Sequence, residues 1–180
     1  MMKNGLVRNA CDSADGTWFF VLDTFAADYA HGGEELNPKY NCFDVSKDNT
    51  VLQKFKVDLV KPLFNFTEAM QHTSQLANLD LAGGYHKDGY LCKDDQLRNE
   101  VVEAVKDAEG SCQGLVNALA SKLNRPGWAM NCVVLSSPKG TSRGAYFSNE
   151  NFCRYDVLKD DKTHTLTLVK LDKSEPEPKD

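Results

Sequence analysis

The feature that most restricts what this chain can fold into is a pattern that runs through it twice. Gly5-Leu6-Val7 is matched by Gly114-Leu115-Val116, and Trp18, opening the apolar run to Leu22, is matched by Trp128 ahead of Cys132-Val133-Val134-Leu135. Cys42-Phe43-Asp44-Val45 is matched by Cys153-Arg154-Tyr155-Asp156-Val157. The offsets are 109 residues for the glycines, 110 for the tryptophans and 111 for the cysteines, and both tryptophans of the chain fall in this register. So small a drift across three landmarks points to an internal repeat.

Each copy closes on a hairpin pattern. Phe55, Val57 and Leu59 alternate with Lys54, Lys56 and Asp58 after the turn Ser46-Lys47-Asp48-Asn49. Leu166, Leu168 and Leu171 nearly alternate with Thr165, Thr167 and Lys170 after Lys159-Asp160-Asp161-Lys162. Period two with one polar face predicts sheets packed on one side only. Between the copies the period becomes helical: Leu97, Val101, Ala104, Val105 and Ala108 share one helix face, with Asp94 as N-cap. Gly110 closes that helix, Ser111 caps a second through Leu115, Val116, Leu119 and Leu123, and Arg125-Pro126-Gly127 stops it. A weaker helix is predicted over 67–79. The fold class is therefore α+β: antiparallel sheets built from two similar strand–hairpin units, with helices inserted between them. The organisation reads as an N-terminal strand and hairpin unit over 1–62, a helix and glycine-rich connector over 63–91, a helix–helix–sheet unit over 92–172, and a charged, proline-containing tail over 173–180 predicted to be disordered.

Six cysteines, Cys11, Cys42, Cys92, Cys112, Cys132 and Cys153, form no C-x-x-C and are an even number in 180 residues, so three disulfides are the natural expectation. Cys132 and Cys153, both on strands of the second unit, are a candidate bridge or lie near their partners. Disulfides and the glycosylation triplet Asn65-Phe66-Thr67 lean towards a secreted glycoprotein, although the chain opens without the apolar core of a signal peptide. The net charge of −5 argues against a nucleic-acid partner, and no apolar run is long enough for a membrane span.

Residues 92–172 run helix, helix, then an antiparallel sheet opened by Trp128. With Leu97 to Val105, Leu115 to Leu123, Cys132-Val133-Val134-Leu135, Gly144 to Ser148, Phe152-Cys153 and the strand from His164 to Leu171, this stretch resembles the dynein light chain fold. It also resembles the ground-like domain of nematode secreted proteins, whose cysteine places Cys92, Cys132 and Cys153 approximate. The dynein light chain resemblance implies a partner peptide added as a strand at an exposed sheet edge. Here the matching partner-binding edge is Gly144, Ala145, Tyr146, Phe147 and Ser148.

Enzyme chemistry finds little purchase. His31, His72, His86 and His164 are scattered without an H-E-x-x-H or i, i+4 pair, so neither a metal nor another cofactor is expected. Asp12-Ser13-Ala14-Asp15-Gly16 lacks regular calcium-loop spacing and reads as a capping turn. Nucleophile elbows and phosphate loops are missing. Lys139 to Arg143 is a short basic connection, while Gly32-Gly33 and Gly83-Gly84 are expected to mark mobile loops. Gly16-Thr17-Trp18 before a strand resembles the opening of a lipocalin, although the central helical segments contradict a full barrel. The expected function is thus non-enzymatic recognition of a protein partner through a sheet edge or loops. A carrier of a small apolar ligand in a cavity between sheet and helices is the alternative, and a hydrolase using carboxylates that sequence leaves unplaced comes third.

Overall fold

The computed structural model describes residues 16–59, 90–136, 139–144 and 149–175. The chain order is β1 (Trp18–Thr24), β2 (Ala26–Gly33), β3 (Asn41–Val45), β4 (Val51–Lys56), β5 (Tyr90–Cys92), α1 (Asp95–Val105), α2 (Cys112–Lys122), β6 (Trp128–Leu135), β7 (Thr141–Gly144), β8 (Phe152–Lys159) and β9 (Lys162–Lys170). Every strand pairing among the described residues is antiparallel. Among the described residues the strands make a four-stranded sheet, β3-β4-β1-β7, and a five-stranded sheet, β2-β6-β9-β8-β5. With the two helices this is an α+β fold.

Local chemistry explains the elements. Asp94 accepts the Leu97 amide and Ser111 accepts the Gly114 amide, each silencing a donor that a helix start leaves unpaired. α1 stops at Val105, short of Gly110. Between β8 and β9, Asp160 and Asp161 both take positive φ (51° and 58°), the conformation that joins two twisted strands in a two-residue hairpin.

The two sheets share a pattern of strand pairing. In one sheet β1 pairs β4 and β4 pairs β3; in the other β6 pairs β9 and β9 pairs β8. Trp18 faces Lys56 and Cys42 faces Lys54, while Trp128 faces Lys170 and Cys153 faces Leu168. The strands that follow the tryptophan strands cross over: β2 leaves β1 at Phe25 (φ 54°) to pair β6, and β7 follows β6 but pairs β1.

The five-stranded sheet is buried on both faces. Trp128, Met130, Cys132, Val134, Leu166 and Leu168 pack against Leu97, Val101, Leu115, Val116 and Leu119 of the helices. Ala129, Phe152 and Val169 pack against Phe19, Val21 and Phe55 of the other sheet. This corrects the expectation of one-sided packing, because Thr165 and Thr167 do not face solvent but line the space between the sheets. The four-stranded sheet is one-sided: Phe20 is 49% and Leu22 37% exposed on its outer face.

Two disulfides close in the second unit. Cys92–Cys153 joins directly opposed residues of β5 and β8, and Cys112–Cys132 staples the start of α2 to β6. Cys132 and Cys153 therefore do not bridge each other. β9 lies between their strands, and two strand spacings of about 4.8 Å exceed the roughly 7 Å that a disulfide spans. Cys42 is also disulfide-bonded, whereas Cys11 lies outside the described residues.

Gly32 and Gly33 do not form a mobile loop; they end β2. The backbone of Gly33 (φ 75°) approaches β6 so closely that a Cβ would fall 2.3 Å from the Trp128 carbonyl oxygen. Of the predicted tail, Lys173 pairs with Glu34 and the Ser174 amide donates to Asp172, while residues 176–180 lie outside the described residues.

Candidate functional site

One residue of the predicted edge lies on β7, which has a strand neighbour on one side only among the described residues. Gly144 ends this strand; Ala145, Tyr146, Phe147 and Ser148 lie outside the described residues. β7 is fastened to β1 from Val21/Gly144 to Thr24/Thr141, with the two threonine hydroxyls 2.7 Å apart. Because the Val57 amide donates to the Thr17 carbonyl, every second residue of β1 from Phe19 turns its backbone to β4. Leu22 and Thr24 then turn theirs to β7, where Arg143 and Thr141 answer, so that Ser142 and Gly144 direct their amide and carbonyl groups away from the sheet. A Cβ on Gly144 would sit 2.5 Å from the Phe20 carbonyl oxygen. The close approach this glycine permits is thus to β1 within the chain.

The side chains beside the edge are apolar and cationic. Phe20 and Leu22 share the outer face with Lys54, opposite Phe20, and Arg143, opposite Leu22. The Lys54 ammonium also lies 5.6 Å from the Trp18 ring centroid, a cation–π distance.

Behind this edge, between the sheets, lies a polar layer. Asp23, Gln53, Ser142, Arg154, Thr165 and Thr167 surround a cavity of about 20 Å³, room for one water. Gln53 Nε2 donates towards Asp23 Oδ2 at 3.5 Å, and Asn131 is buried on the same side of β6.

Two carboxylates that sequence reasoning missed tie β2 down. Asp28 Oδ2 accepts the amide of Cys112 at 2.8 Å, at the positive end of α2. Glu34 accepts the Gly127 amide at 2.9 Å and the Lys173 ammonium; the hydrogen bond from Lys173 holds its carboxyl below the usual range against the opposing pull of burial. Lys173 is correspondingly raised by its bond to Glu34. Burial pushes Asp172 up, but hydrogen bonds from Ser174 and Lys56 together leave it lowered. The only local hint of these ties was a pair of acidic residues, Asp28 and Glu34, bounding a stretch that contains Ala30, Gly32 and Gly33.

Other candidate residues are dispersed. His164 is buried with Nδ1 3.1 Å from the Lys162 carbonyl, and His31 packs on Phe43. Trp128 is buried beneath Arg125, and Trp18 is half-buried. Asn65, His72, His86, Gly83-Gly84, the 12–15 turn and the expected helix over 67–79 lie outside the described residues. Among the described residues, no three of His, Cys, Asp and Glu converge as a metal site would require, and no helix is long and apolar enough to cross a membrane.

No curated protein and no solved structure matches this chain, and nothing found shows a dynein light chain or ground-like domain. One family model aligns with residues 12–174, which takes in both units, the two described disulfides and the β7 edge. The chain belongs to that family, a family of unknown function known as DUF5352.

Proposed function

We propose that this is a secreted, disulfide-stabilised recognition protein that takes up an extended segment of a partner protein by strand addition along β7. The observation that carries the reading is the outward backbone of Ser142 and Gly144 on a strand that is outermost among the described residues, where outward donors and acceptors can recruit another strand. Phe20 and Leu22 would receive apolar side chains of the added segment, and Arg143 and Lys54 would select acidic ones. Two disulfides fit an oxidising compartment, as a secreted protein meets. The matching strand orders and registers of the two units support their reading as an internal repeat.

Ser142→Pro provides the test. It removes an amide that points away from β1, so the internal ladder keeps its bonds. Panning a displayed library of extended peptides should enrich sequences mixing apolar and acidic residues, and these should bind the folded proline variant at least tenfold more weakly. Equal binding to both proteins, or no enrichment, would rule out strand addition at β7.

A further inference from the structure

Neither sheet is completed by its own half of the chain. Residues 16–59 supply β1, β3 and β4 to one sheet but send β2 to the other; residues 90–175 supply β5, β6, β8 and β9 but send β7 back. The exchanged strands dock at like positions: Ala30 of β2 lies opposite Cys132, and Arg143 of β7 opposite Leu22, which is the counterpart of Cys132 at the offset of the tryptophans. Both described disulfides lie within the second half, and with four of the six cysteines so used that half offers Cys42 no partner. The halves are therefore joined by their mutual surface and by the thirty residues of 60–89.

We infer that this surface is also an interface for a second copy of the chain: residues 16–59 of one molecule complete the sheets of residues 90–175 of another, giving a reciprocal half-exchanged dimer. Each contact in such a dimer is one already present in the single chain, so the two forms differ in how the connection is used rather than in packing. A connection of thirty residues reaches at most about 100 Å when extended. Two parts joined in one chain meet at effective concentrations of up to about a millimolar, so the single-chain form wins in dilute solution and the exchanged dimer grows as chain concentration approaches that value. Because β2 and β7 must both leave their sheets to exchange, the two forms interconvert only through extensive unfolding.

The test uses the full chain, unfolded with its disulfides intact and refolded at about 5 μM and about 1 mM, concentrations well below and near that effective value. Light scattering after size exclusion reads the mass against the 20.0 kDa of one chain. A double variant, His31→Cys with Asn131→Cys, marks the topology, since these residues are directly opposed in β2 and β6. The dimer fraction should rise at least tenfold between the two refolding concentrations. In that fraction the new bridge should join two chains under denaturing, non-reducing conditions, and in the monomer fraction it should stay within one. Absence of dimer after refolding at the higher concentration, or dimers whose new bridge is intrachain, would overturn the inference. Should that pair block folding, Tyr29→Cys with Val133→Cys probes the same strands with the same readout.

Discussion

Replacing Asp28 by alanine tests whether the crossing strand is anchored as its geometry indicates. Asp28 Oδ2 holds the amide of Cys112, 2.8 Å away, and Oδ1 holds the amide of Tyr29 at 2.9 Å. Cys112 is fully buried at the first position of α2, where no intrahelical acceptor exists for its N–H. A hydrogen bond to a charged group contributes about 1.5–3 kcal/mol, and an anion at a helix N-terminus about 0.3–1 kcal/mol. Asp28 is itself only half-buried, so water can partly replace it at the amide, and the low end of the combined range applies. Asp28→Ala should then cost about 2 kcal/mol, which for a chain of this length lowers Tm by about 4–8 °C. Asp28→Asn keeps an acceptor but not the charge and should lose about half as much. Asp48→Ala, on a fully exposed turn, is the control and should leave the unfolding midpoint nearly unchanged. Urea denaturation of the oxidised proteins provides the measurement, compared at unchanged m-value. If Asp28→Ala unfolds at the same urea concentration as Asp48→Ala, the anchor contributes nothing and the reasoning fails.

Other perturbations have equally definite outcomes. Gly33→Ala forces a side chain into positive φ and against the Trp128 carbonyl, so it should destabilise by at least about 2 kcal/mol; a neutral result in thermal melts would contradict the close approach of β2 to β6. Loop-closure entropy puts the Cys112–Cys132 bridge at about 3 kcal/mol and Cys92–Cys153 at about 4 kcal/mol, so paired serine substitutions should lower stability in that order. Native alkylation should label none of the five described cysteines, and a rapidly labelled thiol among them would refute the pairing. Glu34 and Asp172 have folded values below the ordinary carboxylate range, so in acid the unfolded chain binds more protons than the folded one. Their contribution is complete above the unfolded value of about 4 and disappears as pH falls through the lowered values. Glu34→Gln should flatten the acid limb of stability against pH, and an unchanged slope would show that the Lys173 tie is inert.

What was legible in the chain was local. Alternation around Phe55 and Leu166, the caps at Asp94 and Ser111, and the turn at Asp160-Asp161 are decided within a few residues, and all appear where those residues place them. Neighbour relations were not legible, because period two says which face a residue occupies and is silent on which strand lies beside it. That is why Cys132 and Cys153 suggested a bridge although β9 separates them. The strand Ala26–Gly33 has Ala, Asp and Gly at six of its eight positions, residues that disfavour strands, and it is extended only because β6 offers it a ladder. Thr165 and Thr167 appeared as a solvent face for the same reason: threonine suits either a wet surface or the space opposite Gln53 and Asp23. At the candidate edge, Gly144 was legible as a place of close approach, but the backbone it approaches belongs to β1.

The polar layer between the sheets sets the alignment of one sheet on the other. Phe19, Phe55 and Phe152 form an oily block at one end of the interface, and Val51, Val133 and Ala26 form another at the opposite end. Asp23, Gln53 and Arg154 lie in the polar layer, which Val21 and Val133 border. Sliding either sheet along its strands by a residue pair would press phenyl rings onto these polar groups and strand them without partners, at a cost of about 1–3 kcal/mol for each buried group. An interface of leucines alone would tolerate such a slip. The layer therefore works as an index pin: it gives up some adhesion between the sheets and in return admits a single alignment, which in turn fixes where the β7 edge stands beside the sheet beneath it.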